Sequence, residues 1–353
     1  MSRFLSKRYS SLKPYVPGEQ PVLLPQTVKL NTNENPYPPS EKALRYASRA
    51  AETLMRYNNT SCDRLREKMS VLYGIDKDEI VFTNGSDEAL SFSFMAFCDA
   101  DKKAVFPDIT YGFYKVFADV FCVPYRQIPL KADFTIDPAE YYNCGGTIFL
   151  ANPNAPTGIA LPAESIRSIL DNNPSDIVVI DEAYIDFGGV SVRGLIHEYD
   201  NLIVTGTFSK SRSMAGARLG FAIASKPLIT DLNTIRNSLN PYNVNAMTQA
   251  AGLGALEDES YTQENCKKIR LTRAYLTQEL TNMGFIVLPS EANFVFAKHP
   301  HISGMALYEY LKTRNIYIRH FETERLKDYN RITIGTKEQV DILLAAIKQA
   351  LEA

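Results

Sequence analysis

Lys210 lies in the stretch Val204-Thr-Gly-Thr-Phe-Ser-Lys-Ser-Arg-Ser-Met-Ala-Gly-Ala-Arg-Leu-Gly220, directly after an apolar run, and Arg218 follows it by eight residues. A lysine amine can add to a carbonyl, and hydroxyls with an arginine can hold an anion. A solvated surface loop would use the same residue types, so this segment alone leaves both readings open. Three further segments also follow apolar runs. Asn84-Gly-Ser-Asp87 comes after Ile80–Phe82 and opens a helical pattern. Ser86 and Asp87 there suit either an anion site on a helix N-terminus or an ordinary N-cap. Ala151-Asn-Pro-Asn-Ala-Pro-Thr-Gly158 carries prolines and asparagines that fix a non-helical loop around Asn154. Asp181-Glu-Ala-Tyr184 puts a carboxylate at the end of a wholly apolar run, where burial without a cationic partner is costly. An N-cap or an ion pair is the plainer account of that aspartate.

Taken together, these run ends supply a coherent chemical set. Ser86, Asp87, Thr207, Ser209 and Arg218 can form a phosphate cradle and clamp. Asn154 offers an amide donor, Tyr184 a phenol, Asp181 a carboxylate for a protonated ring nitrogen, and Lys210 an amine. That set is what pyridoxal 5′-phosphate needs. A lysine forms a Schiff base with its aldehyde, and an acid keeps the pyridinium protonated so that the ring acts as an electron sink.

Such groups converge only if a fold brings the run ends to one place. The runs Ile80–Phe82, Ala104–Phe106, Thr147–Leu150, Asp176–Ile180, Leu202–Val204 and Leu219–Ala224 alternate with helical stretches such as Ser86–Phe97 and Pro162–Leu170. Continuous apolar runs suit strands buried on both faces, and their alternation with helices predicts an α/β domain with a mostly parallel sheet. In such sheets ligands gather beyond the carboxyl ends of the strands. Beyond about Leu239 the pattern changes to a long charged helix, Glu259–Met283, then Phe285–Leu288, Asn293–Ala297, a helix at Gly304–Lys312, Ile316–Ile318 and Arg331–Ile334. Thr336 and Gln339 form a capping-box pattern before a last helix, Lys337–Leu351. The expected organisation is an N-terminal arm with a small-domain segment over 1–40, a large α/β domain over 41–240, and a smaller α+β domain over 241–353.

Composition excludes several other classes. The chain of 353 residues is 45% hydrophobic and 22% charged, as soluble globular proteins are, and its net charge of −2 gives no reason to expect nucleic acid or an anionic membrane as partner. No apolar run approaches a membrane span, and the first residues lack the apolar core of a signal peptide. Cys62, Cys98, Cys122, Cys144 and Cys266 are widely spaced and suggest neither a disulfide framework nor a zinc site, which points to a reducing cytoplasm. His197, His299, His301 and His320 show no metal-ligand spacing, and no metal is expected.

In the order of its motifs the chain resembles the fold-type I pyridoxal-phosphate aminotransferases, and among them the histidinol-phosphate aminotransferases. The resemblance runs from Tyr15-Val-Pro-Gly18 and Leu30-Asn-Thr-Asn-Glu-Asn-Pro-Tyr37 to Arg331-Ile-Thr-Ile-Gly-Thr336. It implies a homodimer with shared active sites that exchanges an amino group between histidinol phosphate and 2-oxoglutarate, in histidine biosynthesis. It also implies roles. Lys210 would be the Schiff-base lysine and proton shuttle. Asp181 would partner the ring nitrogen, and Asn154 and Tyr184 the ring oxygen. Ser86, Asp87, Ser209 and Arg218, with Thr207, would hold the phosphate end, Asp87 by ordering the loop or through its backbone N–H. Tyr111 would stack on the ring. Tyr57 would reach the partner subunit's cofactor, although Asn58 follows it where a proline is expected. Arg331 would bind the α-carboxylate and Arg319 the distal anion. Tyr15, Asn33 and Tyr242 would touch substrate, Tyr242 across the dimer. Another aminotransferase acting on aromatic or other amino acids and a threonine-phosphate decarboxylase share this scaffold; a DNA-binding regulator would need an added domain.

Overall fold

The computed structural model describes residues 2–10, 12–22 and 24–352. The N-terminal arm runs without regular structure, apart from a 3-10 turn at Lys7–Tyr9, into a short strand, β1 (Val28–Lys29). Helices α1 (Glu41–Ala51) and α2 (Asp63–Tyr73) precede the main sheet. Ser40 caps α1 by accepting from the Ala43 N–H.

Seven strands build the large sheet: β2 (Ile80–Thr83), β3 (Lys103–Pro107), β4 (Tyr125–Ile128), β5 (Gly146–Ala151), β6 (Val178–Asp181), β7 (Leu202–Thr207) and β8 (Gly220–Ala224). Their order across the sheet is β2-β8-β7-β6-β5-β3-β4. The five strands from β7 to β4 run parallel, and β8 is antiparallel to both β7 and β2. Side chains alternate between faces. Ile148, Leu150, Val178, Ile180, Leu202 and Val204 enter one core, and Phe149, Ala151, Val179 and Ile203 enter the core on the opposite face. Burial on both faces explains why these strands read as continuous apolar runs.

Helices α3 (Ser86–Phe97), α4 (Phe113–Phe121), α5 (Ala163–Asp171) and α6 (Lys226–Leu239) supply the covering layers. α5 shows the logic: Ile166, Ile169 and Leu170 fall on one face at helical spacing and are buried, while Glu164 is exposed. α7 (Ala246–Leu256) lies beyond residue 240 in the chain, yet its Ala251, Leu253, Ala255 and Leu256 join the large-sheet core.

A second core gathers around α8 (Glu259–Asn282) and a four-stranded antiparallel sheet. The sheet contains β9 (Ile286–Val287) and β10 (Phe294–Lys298). α9 (Gly304–Lys312) and β11 (Ile316–Tyr317) follow, and β11 pairs in parallel with β1. β12 (Arg319–His320) and β13 (Tyr329–Thr333) complete the four-stranded sheet in the order β12-β13-β10-β9. In α10 (Lys337–Glu352), Val340, Leu343, Leu344 and Ile347 form the buried stripe. The capping box is present: the Thr336 N–H donates to Gln339 Oε1 at 3.0 Å, and the Gln339 N–H donates to Thr336 Oγ1 at 3.3 Å. Val28 and Leu30 are buried in this second core, so the N-terminal segment belongs to it structurally although it precedes the large sheet in sequence. Among the described residues no helix is long and apolar enough to cross a membrane, and no cluster of His, Cys, Asp and Glu could hold a metal.

Candidate active site

The carboxyl ends of β5, β6 and β7 open into a cleft of about 200 Å³. Lys210 stands on the loop after β7. Its Nζ donates to the Thr32 carbonyl at 3.4 Å and lies 5.6 Å from the centre of the Tyr184 ring. Among the described residues no carboxylate forms an ion pair with it. Tyr184, after β6, accepts at its Oη from Asn33 Nδ2 at 2.9 Å. Asn33 takes a left-handed backbone, φ 56°, and is tied to β13 through its N–H to Thr333 Oγ1 at 2.9 Å. The second core thereby sets the orientation of a tyrosine on the large sheet.

Asp181 ends β6 and is only 4% exposed. Tyr114 Oη donates to its Oδ2 at 3.2 Å and Thr205 Oγ1 to its Oδ1 at 3.2 Å. These bonds do not offset the loss of hydration, and burial pushes its pKa up from 3.8 to about 6. No cation pairs with it among the described residues. The buried carboxylate therefore lacks the positive partner that such a group requires.

The opposite end of the cleft is built to take an anion. Gly85 precedes α3 at φ 80°, and no side chain caps the helix N-terminus, which Ser86 and Asp87 present to the cleft. Asp87 has specific partners there. Tyr111 Oη donates to its Oδ1 at 2.6 Å, and Arg218 Nη2 donates to its Oδ2 at 3.1 Å. Arg218, itself left-handed at φ 56°, also reaches Ser209 Oγ at 3.4 Å, and Thr207 Oγ1 donates to Ser209 Oγ at 3.0 Å. Gly220 lets β8 press against this corner. A Cβ there would lie 2.3 Å from both the Gly85 carbonyl carbon and the Ser86 nitrogen.

An outer hollow of about 630 Å³ adjoins the cleft and shares Lys210, Tyr111 and Tyr184 with it. Arg319 on β12 and Arg331 on β13 are register partners on adjacent strands. Arg331 donates from Nη2 to the Asn31 carbonyl at 3.0 Å, while its Nε is buried with no partner. Burial, with Arg319 nearby, moves the Arg331 pKa down. Neither arginine has a carboxylate partner among the described residues. Like charges placed opposite one another destabilise a sheet, so this pair calls for an anion from outside the chain. Tyr15 forms another wall, its ring 4.3 Å from that of Phe113.

Three expected groups lie elsewhere. Asn154 is buried beside the cleft with its amide already committed: Nδ2 donates to the Ile109 carbonyl at 3.0 Å and to Thr157 Oγ1 at 3.2 Å, and Oδ1 accepts from Thr110 at 2.8 Å. It holds the loop and has no donor left for a ligand in this arrangement. Tyr57 is 82% exposed and Tyr242 42%, both away from the cleft, and their rings stack on each other at 4.5 Å. Sequence reasoning in turn missed Tyr114, Thr205, Thr32 and Glu34. The first two touch Asp181, and the last two line the cleft. Thr32 and Glu34 fall within the Leu30–Tyr37 motif but carry no chemistry of their own that spacing would single out, while Tyr114 and Thr205 gain significance only from their contact with Asp181, Thr205 through the sheet register.

Residues 25–347 match the family described as aminotransferase class I and II. The chain belongs to that family. It is 46% identical over 349 residues to a histidinol-phosphate aminotransferase of Clostridium beijerinckii, an alignment that covers 99% of this chain and 97% of the relative. Within the family it is therefore a member of the histidinol-phosphate aminotransferases. The crystal structure of the histidinol-phosphate aminotransferase from Clostridium acetobutylicum superposes with a TM-score of 0.85 at 25% identity, over 92% of this chain and 99% of that one. A histidinol-phosphate aminotransferase from Sinorhizobium meliloti, solved in complex with pyridoxal-5′-phosphate, shares the fold with a TM-score of 0.84 at 22% identity, over 92% of this chain and 90% of that one. The expected α/β fold of this aminotransferase, with its mostly parallel central sheet, is the one observed.

Proposed function

We infer that this aminotransferase uses pyridoxal 5′-phosphate to move an amino group between histidinol phosphate and 2-oxoglutarate. One observation carries the cofactor half of the reading. A buried carboxylate without a cation, an amine without a carboxylate and an uncapped helix N-terminus beside an arginine share one cleft. Those are the complements of a pyridinium, an aldehyde and a phosphate. When bound, pyridoxal phosphate supplies an aldehyde that carries the amino group and a ring that accepts electrons from the substrate. Asp181 would hold the proton on the ring nitrogen. Ser86, Ser209, Arg218 and the α3 N-terminus would hold the phosphate, and Tyr111 would cover one ring face, kept in place by Asp87. Tyr184 would donate from its Oη toward the ring oxygen. Lys210 would be the attachment point, and its Nζ, the one amine on the cleft wall, would carry the proton taken from the substrate carbon.

The substrate half rests on Arg319 and Arg331, whose guanidiniums have no carboxylate partner among the described residues and suit either a phosphate or a carboxylate in the hollow that Lys210 also lines. We further propose that the chain works as a homodimer in the cytoplasm and that the exposed Tyr57 and Tyr242 serve the neighbouring subunit's site. Leu54, Met55 and Leu239, all more than half exposed, accompany them as apolar surface. The large and small domains are proposed to be those expected from sequence, with α7 docked on the larger. The deciding experiment mixes the yellow holoenzyme with single amino donors. Histidinol phosphate and glutamate should each convert the cofactor absorbance to that of the amine form. An aromatic amino acid succeeding where histidinol phosphate fails would favour the aromatic aminotransferase reading. Loss of CO₂ from threonine phosphate would favour the decarboxylase.

A further inference from the structure

The backbone that carries Lys210 is anchored from three directions, by residues outside the cofactor and substrate groups. Asn35 Nδ2 donates to the Lys210 carbonyl at 2.9 Å and to the Ser211 carbonyl at 3.2 Å. Ser211 Oγ donates to Asp186 Oδ2 at 2.5 Å. The third anchor is Arg212, only 6% exposed, which donates to the Ala255 carbonyl at 3.2 Å, Thr262 Oγ1 at 3.4 Å and Glu259 Oε2 at 2.8 Å. Ala255 ends α7, which packs on the large sheet. Glu259 and Thr262 open α8, whose later Cys266, Ile269, Leu276 and Leu280 belong to the second core. Arg212 thus ties the lysine loop to the point where the chain passes from one core to the other.

Two features argue that this tie specifies position and does not merely fill space. A buried guanidinium loses hydration that an apolar side chain of the same volume would not lose, and it is held here by three separate acceptors. The next residue, Ser213, has φ 59° and a buried Oγ without a partner. A non-glycine residue stays in that region only where its surroundings over-determine it. Arg212 on one side and the Met214 N–H to Phe208 carbonyl bond of 3.0 Å on the other do so.

We propose that Arg212 is a positioning residue that fixes the Lys210 backbone against the α7–α8 junction, so that the placement of the second core on the large sheet sets the placement of Lys210. The inference rests on the reading of Lys210 as the cofactor attachment point. It separates the work of two arginines six residues apart: Arg218 faces the cleft, and Arg212 lies outside the cleft lining and acts through the chain.

The test uses the purified holoenzyme and three variants, Arg212→Met, Arg212→Lys and Glu259→Gln. A control, Arg273→Met, removes a buried tie of similar size from α8 to the Phe187 and Ala292 carbonyls and to Glu291, next to the Asp186 anchor but without a hydrogen bond to Lys210, Ser211 or Arg212. The readouts are the visible circular-dichroism band of bound pyridoxal phosphate, the kcat and KM for glutamate, and the site of the borohydride-fixed adduct. Arg212→Met should lower kcat about 10²-fold, the effect of an ångström-scale misplacement of a reacting group. KM should stay within about twofold, because substrate contacts are intact. The dichroism band should shrink in parallel. Arg212→Lys and Glu259→Gln should fall between, and Arg273→Met should lose thermal stability with a wild-type band. A folded Arg212→Met with wild-type band and kcat overturns the proposal. If that variant does not fold, a wild-type band and kcat in Glu259→Gln overturn it instead. An adduct on a lysine other than Lys210 in the wild type would defeat the functional reading, and this inference with it.

Discussion

Replacing Asp181 by asparagine should stabilise the cofactor-free protein while disabling the holoenzyme. The carboxylate is buried, accepts two hydroxyl hydrogen bonds at 3.2 Å and a backbone one from Ala183, and meets no cation among the described residues. Its pKa rises from 3.8 to about 6 on folding. At about 1.4 kcal/mol per pKa unit, ionised Asp181 costs the empty fold about 3 kcal/mol. The sign follows from proton binding. Between pH 4 and 6 the folded state holds more protons than the unfolded state, so stability falls as pH rises through that window and stays low above it. Asparagine has no such slope. It also keeps only one acceptor for two hydroxyl donors, so Tyr114 or Thr205 must turn its hydrogen elsewhere, at about 1 kcal/mol. The apo variant should therefore be more stable than apo wild type by about 2 kcal/mol above pH 6. The advantage should vanish near pH 4. Urea unfolding of both proteins at pH 4, 5, 6 and 8, after removal of cofactor, measures the difference directly. Glu182 is also buried and rises to about 7, but it is present in both proteins and cancels. In the presence of pyridoxal phosphate the order should invert, because only the carboxylate can pair with a protonated ring. A stability difference that is independent of pH, or an apo variant less stable than wild type at pH 8, would refute the view of Asp181 as an uncompensated charge awaiting a ligand.

Other outcomes follow from the same geometry. Gly220→Ala places a methyl group 2.3 Å from two backbone atoms of the Gly85–Ser86 corner, so pyridoxal phosphate affinity measured by fluorescence should fall by roughly tenfold or more, together with about 1–3 kcal/mol of stability. Lys210→Ala should leave no borohydride-fixed cofactor in the protein by mass spectrometry, and transamination should be absent. Arg331→Lys should damage the glutamate half-reaction more than the histidinol phosphate one, since an ammonium cannot form the two-pronged contact to a carboxylate, whereas Arg319→Ala should slow both by about 2–4 kcal/mol of transition-state binding, read from single-turnover absorbance. Mixing Tyr57→Phe with Lys210→Ala subunits should restore activity that neither variant has, if sites are shared across a dimer; no recovery after verified subunit exchange would remove Tyr57 from the site.

The parts of this molecule legible in its sequence are those where one physical demand dominates. β5, β6 and β7 are buried on both faces and so appear as apolar runs. α3 and α9 span the residues their patterns predict. β4 was illegible because Arg126 and Gln127 are exposed on an edge strand and interrupt the run. α7 was missed because Ala246–Leu256 is small and apolar on all sides, buried around nearly its whole girth, and so has no stripe to read. Loop residues with motif partners, Ser86, Asp87, Asp181, Tyr184, Ser209 and Arg218, stand together along one cleft. Tyr114 was not legible, because its significance comes from a carboxylate 67 residues away. Nor could spacing show that Asn154 spends its amide on Ile109 and Thr157.

The electrostatic pattern separates ligand groups from structural ones more sharply than residue type does. Arg212 and Arg273 are charged and largely enclosed, and each is met by a protein carboxylate, Glu259 and Glu291; the partly exposed Asp87 is met by Arg218 and Tyr111. Asp181 and Arg331 are equally enclosed, yet neither is met by an opposite charge within the described residues, and the Arg331 Nε has no partner at all. Glu182 and Arg236 are also buried without an ion pair, so an unmet charge alone does not mark a ligand site; Asp181 and Arg331 differ in lining the two hollows that share Lys210. On the proposed reading each awaits a partner the chain does not contain: a cation over Asp181 and an anion between Arg331 and Arg319. The lysine amine stands between the two requirements. That ordering, cation site, amine, anion site, is what lets one cleft hold a ring and present a substrate to it, and it makes the two ends independently testable, since loss of the outer anion site should leave binding of pyridoxal phosphate intact.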